Sequence, residues 1–343
     1  MMDLDSFRSL CLPAIERQLQ NVVGRVEQSD DTASSRQFLA DAHRMIAYQM
    51  GWEGPGAGPE AQGKRVRPML VLLTAAACGG QWTHGLPAAA AVELLHNFSL
   101  IHDDIEDNSE LRRGRPTVWK IWGIPLTINA GDALFTLANL AIFDISDPEI
   151  CVQAARIMLE AGLHLTQGQH LDISYENAQQ LSEADYWPMI RGKTAALLAA
   201  CTELGALTGG AGPEIRDHYR HFGEYLGLAF QVYDDYLGIW GEPAMTGKST
   251  ASDLVSGKKS LPVLYGLGKQ GPFSERWCLG PISPEAVPEL AAQLEAEGAL
   301  EYVQSVASEL TAKAINSLVQ ANPLGEAGNA LRELANQLLN RNK

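Results

Sequence analysis

Apolar residues recur at intervals of three and four along most of this chain, and runs of β-branched residues in strict alternation are nearly absent. That interval buries one face of an α-helix, whereas a half-buried strand needs a period of two. The chain is therefore expected to be all-α, helix packed on helix. Its 343 residues, 46% hydrophobic and 20% charged, suffice for a sizeable globular core. No composition shift separates two folding units. A single domain over 1–343 is expected, with residues 1–40 as peripheral N-terminal helices.

Three breaks interrupt the helical pattern. A Gly/Pro-rich stretch at 51–63 runs into the basic cluster GKRVRP (63–68), a polar Gly/Ser/Lys-rich stretch covers 241–260, and a third break lies near 268–285. The first two read as mobile loops carrying lysines.

The formal net charge of −15 excludes nucleic acid or an anionic membrane as the main partner, because both are bound through basic surface. An anionic substrate would need a local basic pocket. The five cysteines, Cys11, Cys78, Cys151, Cys201 and Cys278, are scattered without zinc-ligand spacing, as expected of thiols in a reducing cytosol. The N-terminal MMDLDSF lacks the basic and apolar segments of a secretory leader, and Glu93, His96 and Glu203 interrupt the most apolar stretches. A cytoplasmic protein with no stable membrane insertion is expected.

One internal echo points to chemistry. SLIHDDIED (99–107) and LAFQVYDDYLG (228–238) each run from apolar helix into paired aspartates, with Asp103 and Asp234 separated by 131 positions. Arg112 and Arg113 follow the first; Lys248, Lys258 and Lys259 follow the second. Two acidic helix ends, each trailed by bases, suggest one shared site.

At helical spacing His96, Asp103 and Asp107 form one stripe, flanked by Asp104 and Glu106. Like charges so placed repel by a few tenths of a kcal/mol per pair unless cations are held there. Hard oxygen donors without thiolates favour magnesium or a similar divalent ion, which commonly bridges carboxylates to phosphate. DDIED alone fits a solvated acidic face equally well. The arginines Arg112 and Arg113, with guanidinium forks suited to phosphate oxygens, tip the reading toward a bound diphosphate. Gly114 and Pro116 are expected to end the helix there. Lys64, Arg65 and Arg67 in GKRVRP would form a second anion site. His164 and His170 have no metal-spaced partners, and Gly223 with Gly227 reads as a close helix contact.

Taken together, GKRVRP (63–68), ELLHNFSLIHDDIED (93–107), LRRGRPT (111–117), GDALF (131–135), GQHLD (168–172), KTAALL (193–198), FQVYDD (230–235) and GKSTASDLVSGKKSLP (247–262) stand in the order in which they occur in one family. Over nearly its whole length the chain resembles the trans-isoprenyl diphosphate synthase, or polyprenyl synthetase, family. The resemblance implies a class I isoprenoid synthase fold, an orthogonal helix bundle with a central active-site cavity, and a homodimer. It implies head-to-tail condensation of isopentenyl diphosphate with an allylic diphosphate.

Residue by residue, the resemblance implies isopentenyl diphosphate on Lys64, Arg67, His96 and Arg113. The allylic diphosphate would be held through Mg2+ on Asp103, Asp107 and Asp234, with Arg112, Lys193, Lys248 and Lys258 around its oxygens. Thr194 and Gln231 would border the reacting carbons, with Gln169 and Asp172 in support. Asp104 and Asp235 read as structural, and Arg341 and Lys343 as a basic tail near the isopentenyl site. Lids bearing Lys64 and Lys248 would exclude water from the cationic reaction.

The chain departs from the family where Gly238 replaces the third aspartate of the second motif, a gap that water is expected to fill and that an aspartate is expected to occupy without harm. A class I terpene cyclase or a non-catalytic partner subunit are the competing readings. Phe98, the fifth residue before Asp103, and its small neighbour Ser99 resemble the pocket floor of geranylgeranyl-forming members, with farnesyl as the alternative product. A floor on the helix carrying Leu134 and Phe135 is the other option.

Overall fold

The computed structural model describes residues 3–27, 32–176, 178, 180–241 and 252–339. Helices α1 (Leu4–Val23), α2 (Ala33–Gln49), α3 (Pro59–Gln62), α4 (Val66–Ala77), α5 (Leu86–Glu106), α6 (Val118–Trp122), α7 (Ile124–Ile142), α8 (Pro148–Glu176), α9 (Glu183–Ile190), α10 (Ala196–Thr208) and α11 (Pro213–Trp240) follow one another. Between α5 and α6 lies the one hairpin among the described residues, β1 (Leu111–Arg112) with β2 (Arg115–Pro116). Further helices cover Leu261–Lys269, Pro272–Trp277, Val287–Ala296, Ala299–Gln320 and Gly325–Leu339.

The chain separates into two compact units. The first comprises Met1–Glu160, Ala200–Arg216 and Pro323–Glu333; the second comprises Ala161–Ala199, Asp217–Asn322 and Leu334–Lys343.

In the first unit α5 is the central element, packed by α1, α4 and α7. Ala88 to Ala91 supply the small side chains that let neighbours approach, and Val92, Leu94 and Leu95 fill the space between them. Helix α1 lays the stripe Leu4, Phe7, Cys11, Ile15, Leu19 and Val22 against this core. Burying such side chains contributes about 1.5–3 kcal/mol each. Packing of that stripe, rather than intrinsic propensity, stabilises α1.

In the second unit Leu254, Val263, Phe273, Leu290, Leu294 and Ala299 form a core under the C-terminal helices. Helix α8 meets the turn of π-helix at Arg191–Ala195 through glycines on both sides. A Cβ on Gly168 would lie 2.0 Å from the Lys193 backbone nitrogen, and one on Gly192 would lie 2.5 Å from the His164 carbonyl. Only hydrogen fits at that crossing, which brings Lys193 onto α8. Among the described residues no helix is long and apolar enough to cross a membrane.

Candidate active site

Helix α5 ends sooner than its sequence suggests. Asp107 is its C-cap, and Asn108 follows at φ 50°, the left-handed conformation that stops a helix. The acidic residues Asp103, Asp104, Glu106 and Asp107 thus occupy the last turn, where the helix dipole is already negative. Gly114 and Pro116 do not end the helix. They belong to the hairpin, whose turn residues Arg113 and Gly114 have φ 52° and 74°, the signs required by a primed two-residue turn.

The two aspartates of DDIED divide their duties. Asp104 is 2% exposed and receives the Arg112 guanidinium as a fork, Nε at 2.9 Å from both oxygens and Nη2 at 2.8 Å from Oδ1. Burial raises its pKa and the Arg112 guanidinium opposes that rise. Asp103 is half-buried and Asp107 exposed.

Behind this turn lies the basic cluster. Arg65, 4% exposed, is paired with Glu16 and Glu93 at 2.7 Å each and donates to the Met50 carbonyl at 3.1 Å. It is a buried structural cation, a correction to its reading as part of an anion site. Lys64 is exposed, and Arg67 has its Nη1 3.2 Å from His96 Nε2 while its buried Nε meets no acceptor. A guanidinium only donates, so His96 Nε2 accepts. Burial, reinforced by Arg67, Arg113 and Arg112, lowers the His96 pKa well below its ordinary value. Arg113 donates to the Ala61 carbonyl at 2.7 Å, and its guanidinium lies where a Cβ on Gly63 (φ 77°) would stand, 2.7 Å away. A recess lined by Tyr48, Gln49, Ala61, Arg112, Arg113 and Arg115 opens beside it. The segment 51–63, expected as a mobile loop, is fastened to the hairpin.

In the second unit the same division recurs. Asp235, 1% exposed, accepts from Tyr186 Oη at 2.7 Å, Gln231 Nε2 at 3.0 Å, the Leu261 backbone N–H at 3.1 Å and Lys258 Nζ at 3.4 Å. Lys258 is held in its charged form by Asp235, which outweighs its burial. Its ion-pair partner is an internal carboxylate, as Asp104 is for Arg112. Asp234 is half-buried on the adjoining face. Lys193 is ion-paired with Asp172, and Thr194 Oγ1 donates to Gln231 Oε1 at 2.8 Å. Lys248, Arg341 and Lys343 lie outside the described residues. His164 and His170 are exposed.

Each unit therefore carries acidic residues near the end of a long helix beside fixed cations. Among the described residues no three His, Cys, Asp or Glu side chains converge on one point. The donor set is hard oxygen: Asp104 and Asp235 are the buried carboxylates of the two motifs, while Asp103 and Asp234 are half-buried and Asp107 is exposed. The polyprenyl synthetase family model matches residues 58–279, which include every one of these groups.

The chain belongs to the polyprenyl synthetase family. It is 36% identical over 307 residues to a (2E,6E)-farnesyl diphosphate synthase of Mycobacterium tuberculosis, covering 87% of this chain and 85% of that one. It is 38% identical over 299 residues to a geranylgeranyl diphosphate synthase of the same organism, covering 87% and 77%. Its fold matches a crystal structure of geranylgeranyl pyrophosphate synthase from Corynebacterium glutamicum complexed with isoprenyl diphosphate and magnesium, with TM-score 0.84, 28% identity, and 99% and 100% of the two chains covered. This polyprenyl synthetase is thus an all-α prenyltransferase of the short-chain trans type.

Several site features escape a reading of the sequence. Tyr186 signals nothing before it is seen on Asp235, and Arg115 reads as one more base in RRGRP. At the family's missing aspartate, the space beside Gly238 is not left to water. A Cβ there would lie 2.4 Å from Asp253 Oδ2 and 2.7 Å from its Cγ. The expected tolerance of an aspartate is therefore withdrawn. Gly238→Asp should destabilise this synthase by about 1–3 kcal/mol through overpacking and like-charge repulsion. Thermal melting checks this, and an Asp253→Gly change in the same chain should restore the loss; a Gly238→Asp variant that melts with the wild type would contradict the placement.

Proposed function

We propose that this synthase condenses isopentenyl diphosphate head to tail with an allylic diphosphate and releases geranylgeranyl diphosphate, with farnesyl diphosphate as the competing product. The observation that carries the reading is two groupings suited to anions beside acidic helix ends: Lys64, Arg67 and Arg113 with neutral His96 in one unit, and Lys193 with Asp172 in the other. Two diphosphates need two such sets, whereas a terpene cyclase ionises one.

In this reading Lys64, Arg67 and Arg113 bind the isopentenyl diphosphate, and neutral His96 is drawn toward its protonated form as that anion arrives. Asp103 and Asp107 in the one unit, and Asp234 in the other, would hold magnesium, which when bound stabilises charge on a departing diphosphate. Arg112 in the first unit and Lys193 in the second supply fixed positive charge for diphosphate oxygens. Asp104 aims Arg112 and Asp172 aims Lys193. Thr194 and Gln231, tied to Asp235, border the reacting carbons, and Lys248 completes the allylic set. The allylic carbon–oxygen bond breaks to an allylic cation and diphosphate, the isopentenyl double bond attacks that cation, and the proton then lost leaves with the diphosphate. No side-chain nucleophile takes part.

A homodimer is part of the proposal. Leu126, Ile128, Leu140, Phe143, Val152 and Leu159 leave α7 and the start of α8 with large apolar side chains 42–70% exposed. A second copy of the chain is the partner that would cover them.

Chain length is proposed to be set at Phe98. Its ring lies 4.7 Å from His102 and 5.2 Å from Phe135 of α7, so the two candidate floors, on α5 and α7, are one aromatic wall. Leu134 is fully buried, and Ser99 Oγ donates to the His96 carbonyl at 2.8 Å.

The deciding assay supplies isopentenyl diphosphate, magnesium and dimethylallyl, geranyl or farnesyl diphosphate, and reads product length. A twenty-carbon diphosphate is expected, and Asp103→Ala, Asp107→Ala or Asp234→Ala should lower turnover by about 10³-fold or more. Near-normal rates in these variants would remove the metal assignment. Turnover only after mixing with another subunit would establish a non-catalytic partner instead. In the same assay Phe98→Ala should lengthen the product by at least one isoprene unit, because each methylene newly buried is worth about 0.8 kcal/mol. Ser99→Phe should shorten it. Unchanged products in both variants would place the floor elsewhere.

A further inference from the structure

Arg115 has no place in the chemistry above, yet it is 8% exposed and its guanidinium is held by three backbone carbonyls. Its Nε donates to the Pro55 carbonyl at 2.9 Å, Nη1 to the Tyr48 carbonyl at 3.0 Å and Nη2 to the Glu53 carbonyl at 2.7 Å. Its Cζ stands 3.9 Å from the centre of the Tyr48 ring. Tyr48 in turn donates its hydroxyl to the Pro116 carbonyl at 2.8 Å. Arginine and tyrosine thus bind the end of α2, the segment 53–55 and the second hairpin strand into one clamp.

The clamped segment needs such a device. Residues 51–63 are glycine-rich and contain only the four-residue helix α3, so the backbone entropy lost on ordering is met by few local contacts. Gly54, at φ 83°, sits inside the clamp, where a Cβ would lie 2.7 Å from Tyr48 Cδ2. The far end of the segment is fixed by Arg113 on Ala61. Both tethers come from one hairpin: Arg115 pairs with Arg112 across the strands, and Arg113 occupies the turn.

We propose that Arg115, stacked on Tyr48, is a positioning residue that fixes the spacing between Lys64 and Arg67, carried at the end of this segment, and Arg113 on the hairpin, and so sets affinity for the homoallylic diphosphate. The proposal rests on the reading of those cations as the isopentenyl diphosphate site. No carboxylate neutralises Arg115 among its contacts, and only a planar fork reaches three carbonyls while stacking on a ring. Lysine would keep the charge and lose the geometry.

The test uses the full-length synthase and its Arg115→Lys and Arg115→Met variants, with Arg113→Ala as control. Hydrogen exchange should rise in residues 51–63 of both Arg115 variants while α5 stays protected. Steady-state kinetics should show the KM for isopentenyl diphosphate raised roughly ten-fold or more, with kcat and the KM for the allylic diphosphate nearly unchanged. Arg115→Lys behaving as wild type would overturn the proposal, leaving Arg115 a mere source of positive potential. Faster exchange at 51–63 with an unchanged KM, or equal losses for both substrates, would overturn it as well. If Arg113→Ala leaves the isopentenyl KM unchanged, it is the substrate assignment that fails. The clamp is then judged by exchange together with titration of inorganic diphosphate, and weakened binding in Arg115→Lys is required for it to stand.

Discussion

The structure depends first on the burial of one carboxylate in each aspartate pair. Asp104 and Asp235, 2% and 1% exposed, could not remain charged at those depths without cationic and N–H partners, since an isolated buried charge costs several kcal/mol. Asp104 therefore requires Arg112 and fixes where the hairpin must lie against α5. Asp235 requires Lys258, the Leu261 N–H and Tyr186, and fixes where the chain returns after α11. The neighbouring carboxylate of each pair, Asp103 or Asp234, is half-buried.

The same economy governs the basic cluster. Of the bases in GKRVRP, the one that points inward is neutralised by Glu16 and Glu93, which ties α1, α4 and α5 together through a single guanidinium. Of its neighbours in the motif, Lys64 is exposed and Arg67 reaches His96, whose pKa is lowered by burial first and by the surrounding arginines second. Arg113 and Arg115 secure the preceding segment from the hairpin side. A protein with net charge −15 thereby keeps a local cluster of basic groups.

Much of this was legible in the sequence, because helical periodicity and the ordered motifs are local signals. The acidic stripe Asp103–Asp107 could be read from residue type and spacing, whereas the structural reading of Asp104 and Asp235 came from the family resemblance. What failed was non-local. Gly114 and Pro116 looked like a helix stop because a hairpin with two-residue strands is too short to display a period of two. Arg65 was indistinguishable from Lys64 until Glu16, 49 positions away, was found on it. Asp253 beside Gly238 and Tyr186 on Asp235 are likewise contacts that no spacing rule connects.

The division of labour within the aspartate pairs is tested most directly by comparing the thermal melting of Asp103→Asn and Asp104→Asn, each with and without magnesium plus inorganic diphosphate. The account predicts that Asp103→Asn melts with the wild type but gains nothing from the ligands. Asp104→Asn should lose about 1–3 kcal/mol through its unsatisfied buried amide and Arg112, yet still be stabilised when the ligands are added. The opposite pattern, a wild-type melt for Asp104→Asn with ligand stabilisation abolished, would contradict it.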